Sequence, residues 1–332
     1  MILVTGGTGL VGRHLLLALT ESESTEIRAT FRSTDTVEGV NAFFAFAKAE
    51  KRFTRIRWFQ TDITDIPSLT EAFKGVTHVY HCAALISFDP YNFKKLTKVN
   101  IEGTANVVNL CLSHKIKKLC HLSSIATLSS LPYNPVNEEN FWDANEKNSV
   151  YALSKYGAEM EVWRGTEEGL EAIIFNPSII LGEGDYTSGS GEIFTRIYNG
   201  LSYIPTGGSG VIDVKDLVTL LILGMQSAIH QERYIASSYN RTYDELIVLI
   251  SKELNRKSSG RRLSNSILKI YAAWDAFLGV FLRRRKVTSA QVESLSSVKK
   301  YDTSKVTSAF DLRPTDLKVT IERIATHFLN QV

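Results

Sequence analysis

Three tyrosines in this 332-residue chain stand four residues ahead of a lysine: Tyr91 with Lys95, Tyr151 with Lys155, and Tyr301 with Lys305. On a helix that spacing places a phenol and an ammonium group one turn apart on one face. Such a pair can move protons. A free phenol titrates near about 10, and a neighbouring cation favours the phenolate, which brings the group toward use as an acid or base near neutrality. Because it recurs, the pattern is weak evidence by itself. Tyr91 follows Pro90 in a stretch that reads as a loop, and Tyr301 sits in "KKYDTSK", far along the chain, so both read as surface residues. Tyr151, in "YALSKYGAE", is the candidate.

The elements that must position it are legible as alternation. Short β-branched runs at 1–5, 26–32, 55–62, 76–83, 117–124 and 171–177 are separated by stretches with apolar residues at helical spacing, among them "VNIEGTANVVNLCLSH" and "ALSKYGAEMEVWRGTEEG". Strand–helix alternation predicts an α/β fold, a Rossmann-type doubly wound parallel sheet with ligands at the carboxyl ends of its strands. After residue 176 the alternation loosens: "GEGDYTSGSG" and "PTGGSG" read as loops, "DVKDLVTLLILGMQSA" and "TYDELIVLISKEL" as helices. The expected division is a dinucleotide-binding domain over 1–175, with 210–232 returning to it. A smaller, mainly helical substrate-binding cap takes 176–209 and 233–332.

"VTGGTGLVGRH" supplies the reason to expect a dinucleotide. Gly6, Gly9 and Gly12 lie three apart between the first strand and the first helix. Glycines there permit the tight turn, the approach of a pyrophosphate to the backbone of Thr8, Leu10 and Val11, and close helix–sheet packing at a positive helix terminus. The loop lacks the Gly-Lys-Ser/Thr ending of a nucleoside-triphosphate site. The second strand ends "ATFRS", with Arg32 where an acidic residue would bond a ribose 2′-hydroxyl, so NADP (NADPH) is expected over NAD. Arg13 is a possible second phosphate contact, and Asp62 with Ile63 is expected at the adenine edge.

Taken in order, the glycine motif, "DITD", "HCAA", "VNIEGTANVV", "LSSIA", "YALSKYGAE", "NPSIILGEGD" and "GVIDVKDLV" resemble the extended short-chain dehydrogenase/reductases, within the epimerase/dehydratase superfamily. The resemblance is to the branch of dihydroflavonol reductases and 3β-hydroxysteroid dehydrogenases, and it covers the chain to about residue 230. It implies that Tyr151 is the acid/base, Lys155 its partner and a ribose ligand, Ser124 the carbonyl-binding hydroxyl and Asn100 the support of a proton relay. Ser123 rivals Ser124, since adjacent strand residues point to opposite faces. Asn100 has the simpler reading of a helix cap. Ala83 and Ala84 of "HCAA", and Pro177 and Ser178 of "NPS", are placed by the resemblance along the cofactor. Asn176-Pro177 stands where many sugar-modifying relatives carry Arg-Pro.

Phe88, Tyr133 and Tyr186 are candidate walls of a substrate pocket. The expected activity is interconversion of a ketone or aldehyde and its alcohol on an apolar or aromatic small molecule, by a cytoplasmic monomer or homodimer. A nucleotide-sugar epimerase or dehydratase, and a non-catalytic dinucleotide sensor, are the alternatives. A formal net charge of +3 and no basic tract interleaved with aromatics argue against nucleic acid. Three cysteines without C-x-x-C spacing argue for reduced thiols and no metal. No transmembrane segment is expected: the longest apolar stretch, 267–282, carries Lys269 and Asp275 and falls short of the roughly 20 residues a span requires. With the basic "RRRK" after it, that stretch reads as a helix packed on the protein or resting on a membrane surface.

Overall fold

The six β-branched runs form strands in a computed structural model, which describes residues 1–22, 26–201, 203–257, 260–262, 275, 284–285 and 288–332. They are β1 (Ile2–Thr5), β2 (Ile27–Phe31), β3 (Ile56–Gln60), β4 (His78–His81), β5 (Lys118–Leu122) and β6 (Ala172–Pro177). Alternate side chains enter opposite faces, as strand geometry demands. Val4 packs with Leu15, Phe44, Phe175 and Leu217 on one side, while Leu3 packs with Phe73, Val79, Val107 and Val162 on the other. Burial on both faces is what a parallel sheet covered by helices requires.

β7 (Ile179–Leu181), β8 (Tyr203–Ile204), β9 (Gly208–Asp213), β10 (Glu232–Ala236), β11 (Tyr239–Thr242) and β12 (Arg261–Arg262) follow. The main sheet has seven strands in the order β10-β6-β5-β4-β1-β2-β3, and every pairing in it is parallel. This is the Rossmann order with its switch point between β1 and β4, the place where such sheets bind ligands. β7, β9 and β11 make a separate three-stranded sheet, and β8 pairs with β12.

One expectation about the second half is corrected. The stretch "PTGGSG" is a loop only at its start, because Gly208 opens β9 and pairs with Thr242 of β11. Within the stretch expected to return to the dinucleotide-binding domain, β9 joins the three-stranded sheet, and β10, which starts at Glu232, pairs along β6 as far as Pro177. The helices Val214–Gln226 and Tyr243–Glu253 form where the apolar spacing predicts, each with a side-chain cap, Asp213 and Thr242. Phe194, Ile247, Ile321 and Phe328 form a third core, away from the main sheet. The expected helix at 267–282 lies, Asp275 apart, outside the described residues. Among the described residues no helix is long and apolar enough to cross a membrane.

Candidate active site

The glycine turn is shaped by contact with its neighbours. Gly6 has φ of +71°, and a Cβ there would stand 2.7 Å from the Ala83 backbone, so β1 and the segment after β4 approach as only glycine allows. A Cβ on Gly12 would stand 2.1 Å from the Gly6 carbonyl oxygen, so the helix Leu10–Leu19 starts hard against the turn. Gly9 is exposed at the helix N-terminus, where no side chain caps the first turn. Free N–H groups and the helix dipole at an exposed glycine fit a pyrophosphate. Arg32 follows β2 and is exposed, while Asp62 is half-buried and turns inward to accept from the Thr64 backbone and hydroxyl. Arg13 folds back: its Nη2 donates to the Thr8 carbonyl at 2.9 Å and its guanidinium lies 5.9 Å over the Phe43 ring.

Tyr151 and Lys155 belong to the helix Val150–Glu167, which begins at Ser149 because the Ser149 hydroxyl accepts from the Ala152 N–H. Lys155 is 2 % exposed, and its Nζ donates to the Leu122 carbonyl at the end of β5, 2.8 Å away. Burial brings its pKa down from 10.5 to about 8, against the opposing pull of Glu159 and of Cys82. The half-buried phenol of Tyr151 hydrogen-bonds Ser124. Burial raises the phenol's pKa, and the Ser124 bond works the other way. The first effect on Tyr151 is therefore desolvation, and the Lys155 ammonium is engaged by the Leu122 carbonyl of β5.

Burial separates the two serines. Ser123 is 4 % exposed and its Oγ donates to Glu159 Oε2 at 2.5 Å, whereas Ser124 is half-exposed beside Tyr151. Asn100 is no helix cap. It lies within the π-helical turn Thr97–Glu102, its Oδ1 accepting from Leu85 N and its Nδ2 donating to Leu85 O and to Ser154 Oγ. Ser154 in turn donates to the Tyr151 carbonyl, so one amide ties the segment after β4 to the Tyr151 helix.

The remaining expected site residues divide. Phe88 is exposed and its ring lies 5.4 Å from that of Tyr151. Tyr133 is exposed and lines a cleft of about 650 Å³ with Leu131, Pro132 and Phe141. Ile63 is buried, Ala83 is half-buried and Ala84 exposed. Pro177 and Ser178 are buried at the end of β6, and the Ser178 side chain abuts Gly210. Tyr186 is not a wall: it is 6 % exposed, packs on Phe194 and Phe328, and its hydroxyl is held by Ile324 O and His327 Nδ1. Tyr301 is not a surface residue either. It is 6 % exposed, bridges Val136, and leaves Lys305 to pair with Glu232 at 2.6 Å. Tyr91 is exposed, as expected.

One residue at the centre of this region escaped sequence reasoning. Glu159 is fully buried and gathers Ser123, Thr127, Asn176 and Arg233; Asn176 Nδ2 also reaches the Ser124 carbonyl at 3.1 Å. The available signal was the spacing, since Tyr151, Lys155 and Glu159 continue one line of four-residue steps.

Comparison with known proteins identifies the family. Residues 2–236 match the family model "NAD dependent epimerase/dehydratase family". The chain is 29% identical over 278 residues to tetraketide alpha-pyrone reductase 2 of Arabidopsis thaliana, covering 79% of this chain and 85% of that protein. It is 29% identical over 273 residues to a bifunctional dihydroflavonol 4-reductase/flavanone 4-reductase of Malus domestica, covering 76% of each. Among solved structures, gox2253 superposes with a TM-score of 0.82 at 24% identity over 100% of this chain and 98% of that one. The Bordetella bronchiseptica enzyme WbmG in complex with NAD gives 0.76 at 16% identity over 99% and 94%; both likenesses are of fold. By its glycine turn, its sheet order and the match over residues 2–236, the chain belongs to the NAD dependent epimerase/dehydratase family, NAD(P)-dependent enzymes of the extended short-chain dehydrogenase/reductase type.

Proposed function

We propose that this enzyme is an NADPH-dependent reductase that interconverts a ketone or aldehyde and its alcohol, on an apolar or aromatic substrate of moderate size. The observation that carries the reading is the meeting of the Tyr151 phenol and the Ser124 hydroxyl beside the buried Lys155 ammonium, at the carboxyl edge of the sheet. The dinucleotide, when bound, supplies the hydride. The two hydroxyls hold the substrate oxygen where negative charge grows, and Tyr151 gives that oxygen a proton in reduction and takes it back in oxidation. Lys155 would favour the phenolate by its charge and would bond the nicotinamide ribose of a bound dinucleotide. Asn100 supports the proton relay by fixing the segment after β4 against the Tyr151 helix.

Gly6, Thr8, Gly9, Leu10, Val11 and Gly12 would hold the pyrophosphate, Asp62 and Ile63 the adenine, and Arg32 the 2′-phosphate. Ala83, Ala84, Pro177 and Ser178 flank the nicotinamide. Phe88 and Tyr133 would face the substrate, under a cap drawn from the described residues of 176–209 and 237–332. The reductases among the relatives support this reading over a nucleotide-sugar epimerase.

A panel of carbonyl compounds, followed by loss of NADPH absorbance, tests it. Wild-type turnover is expected, and Tyr151→Phe keeps NADPH binding while losing about 10²–10⁴-fold in kcat. Unchanged turnover in Tyr151→Phe overturns the site. Redox-neutral conversion of a nucleotide sugar overturns the reductase reading, and binding without any turnover favours a sensor.

A further inference from the structure

We propose that Glu159 is a positioning residue: one buried carboxylate both clamps the turn that presents Ser124 and sustains the positive charge of Lys155. The inference deepens the proposed function and rests on it for the roles of Ser124 and Lys155.

Glu159 is 0 % exposed. An ionised carboxylate survives there only if paired and hydrogen-bonded. Its Oε2 receives Ser123 Oγ at 2.5 Å, Asn176 Nδ2 at 2.8 Å and Thr127 Oγ1 at 2.9 Å. Its Oε1 faces Arg233 Nη1 at 3.3 Å and Trp163 Nε1 at 3.4 Å. The Oε2 partners share a second target. Asn176 Nδ2 and Thr127 Oγ1 also reach the Ser124 carbonyl, at 3.1 and 2.9 Å, and Ser123 precedes Ser124 in the chain. A residue needed for folding alone has no reason to spend its acceptor set on the turn beneath one half-exposed serine. The clamp holds the Ser124 main chain, and with it the residue whose hydroxyl meets Tyr151.

The second role follows from helix geometry. Glu159 lies one turn beyond Lys155 on the same face, as Tyr151 lies one turn before it. Lys155 faces Tyr151 and Glu159 from its own helix, Cys82 from the loop after β4, and His81 and His121 from β4 and β5. Both histidines are held neutral by burial, and burial raises the Cys82 thiol. Glu159 is thus the anion that opposes desolvation of Lys155; its other cation, Arg233, reaches it from β10.

Glu159→Gln tests this by keeping shape and removing charge. The readout independent of turnover is the ¹³Cε titration of Lys155, assigned by its disappearance in Lys155→Met. Its midpoint is expected to fall by about one pH unit in Glu159→Gln, with a matching downward move of the high-pH limb of kcat/KM and about a twofold loss of kcat at pH 7 from the lost charge. Since Glu159→Gln leaves the Arg233 guanidinium buried without its counter-charge, Glu159→Gln/Arg233→Met serves as the neutral pair and must show the same fall. An unmoved Lys155 midpoint in both variants, with NADPH binding intact, overturns the proposal. Absence of turnover in the wild type would count against the reductase reading alone, because the lysine titration reports on Glu159 regardless.

Discussion

Raising the pH should switch this enzyme off near 8, and the group responsible should be Lys155. Burial moves its pKa from 10.5 to about 8, which costs the charged form roughly 3 kcal/mol relative to water. About nine molecules in ten carry the charge at pH 7 and about one in ten at pH 9, so kcat/KM should fall about tenfold for each pH unit beyond the midpoint. Tyr151 does not blur the result, because burial pushes its phenol upward from 10.0 and its own ionisation lies above that limb. The assay is carbonyl reduction at saturating NADPH from about pH 6 to 10, with cofactor binding measured separately by fluorescence. Lys155→Arg replaces an ammonium that can lose its proton by a guanidinium that does not, so the limb should leave the accessible range whatever the absolute rate. A wild-type profile flat to about pH 10, or a limb that persists in Lys155→Arg, refutes the assignment.

Arg32→Ala should weaken NADPH binding about tenfold or more while leaving NADH within twofold, the expected loss of one exposed charge-assisted contact; an unchanged NADPH/NADH ratio in a fluorescence titration would count against Arg32. His14 should destabilise the fold in acid. Burial lowers its pKa from 6.5 to about 4 despite the neighbouring Glu183 carboxylate, so the native ring stays neutral while the unfolded chain takes up a proton. That neutral form's advantage is complete above pH 6.5 and lost as pH falls toward about 4, roughly 3 kcal/mol in all. Thermal melts across this range should flatten by about one proton's worth of slope in His14→Gln, and parallel curves for the two proteins would contradict it.

The fold was legible because parallel strands buried on both faces must be written as uninterrupted apolar runs, and the helices between them as spaced ones. β10 was missed because "ERYIA" lies at the sheet edge, short and opened by two charged residues, and only its pairing with β6 makes it a strand. Tyr186 and Tyr301 were misplaced for a common reason. An aromatic in a loop-like stretch carries no local mark of what covers it, and both are covered by chain from far away, Ile324 and His327 over the first and Val136 beside the second.

By itself the sequence determined what depends on neighbours within a turn or two: the glycine spacing of the phosphate turn, the Tyr151–Lys155 step, and the alternation that builds the sheet. What crosses the chain was decided only by the tertiary structure. Ser123 is withdrawn from the site by a carboxylate 36 residues away, Asn100 fixes a segment 15 residues before it, and the charge opposite Glu159 arrives from Arg233, 74 residues on. A buried polar group takes whatever donors the packing brings within reach. Spacing along the chain states which groups share a face; it does not state which groups water has left, and on that the chemistry of this site depends.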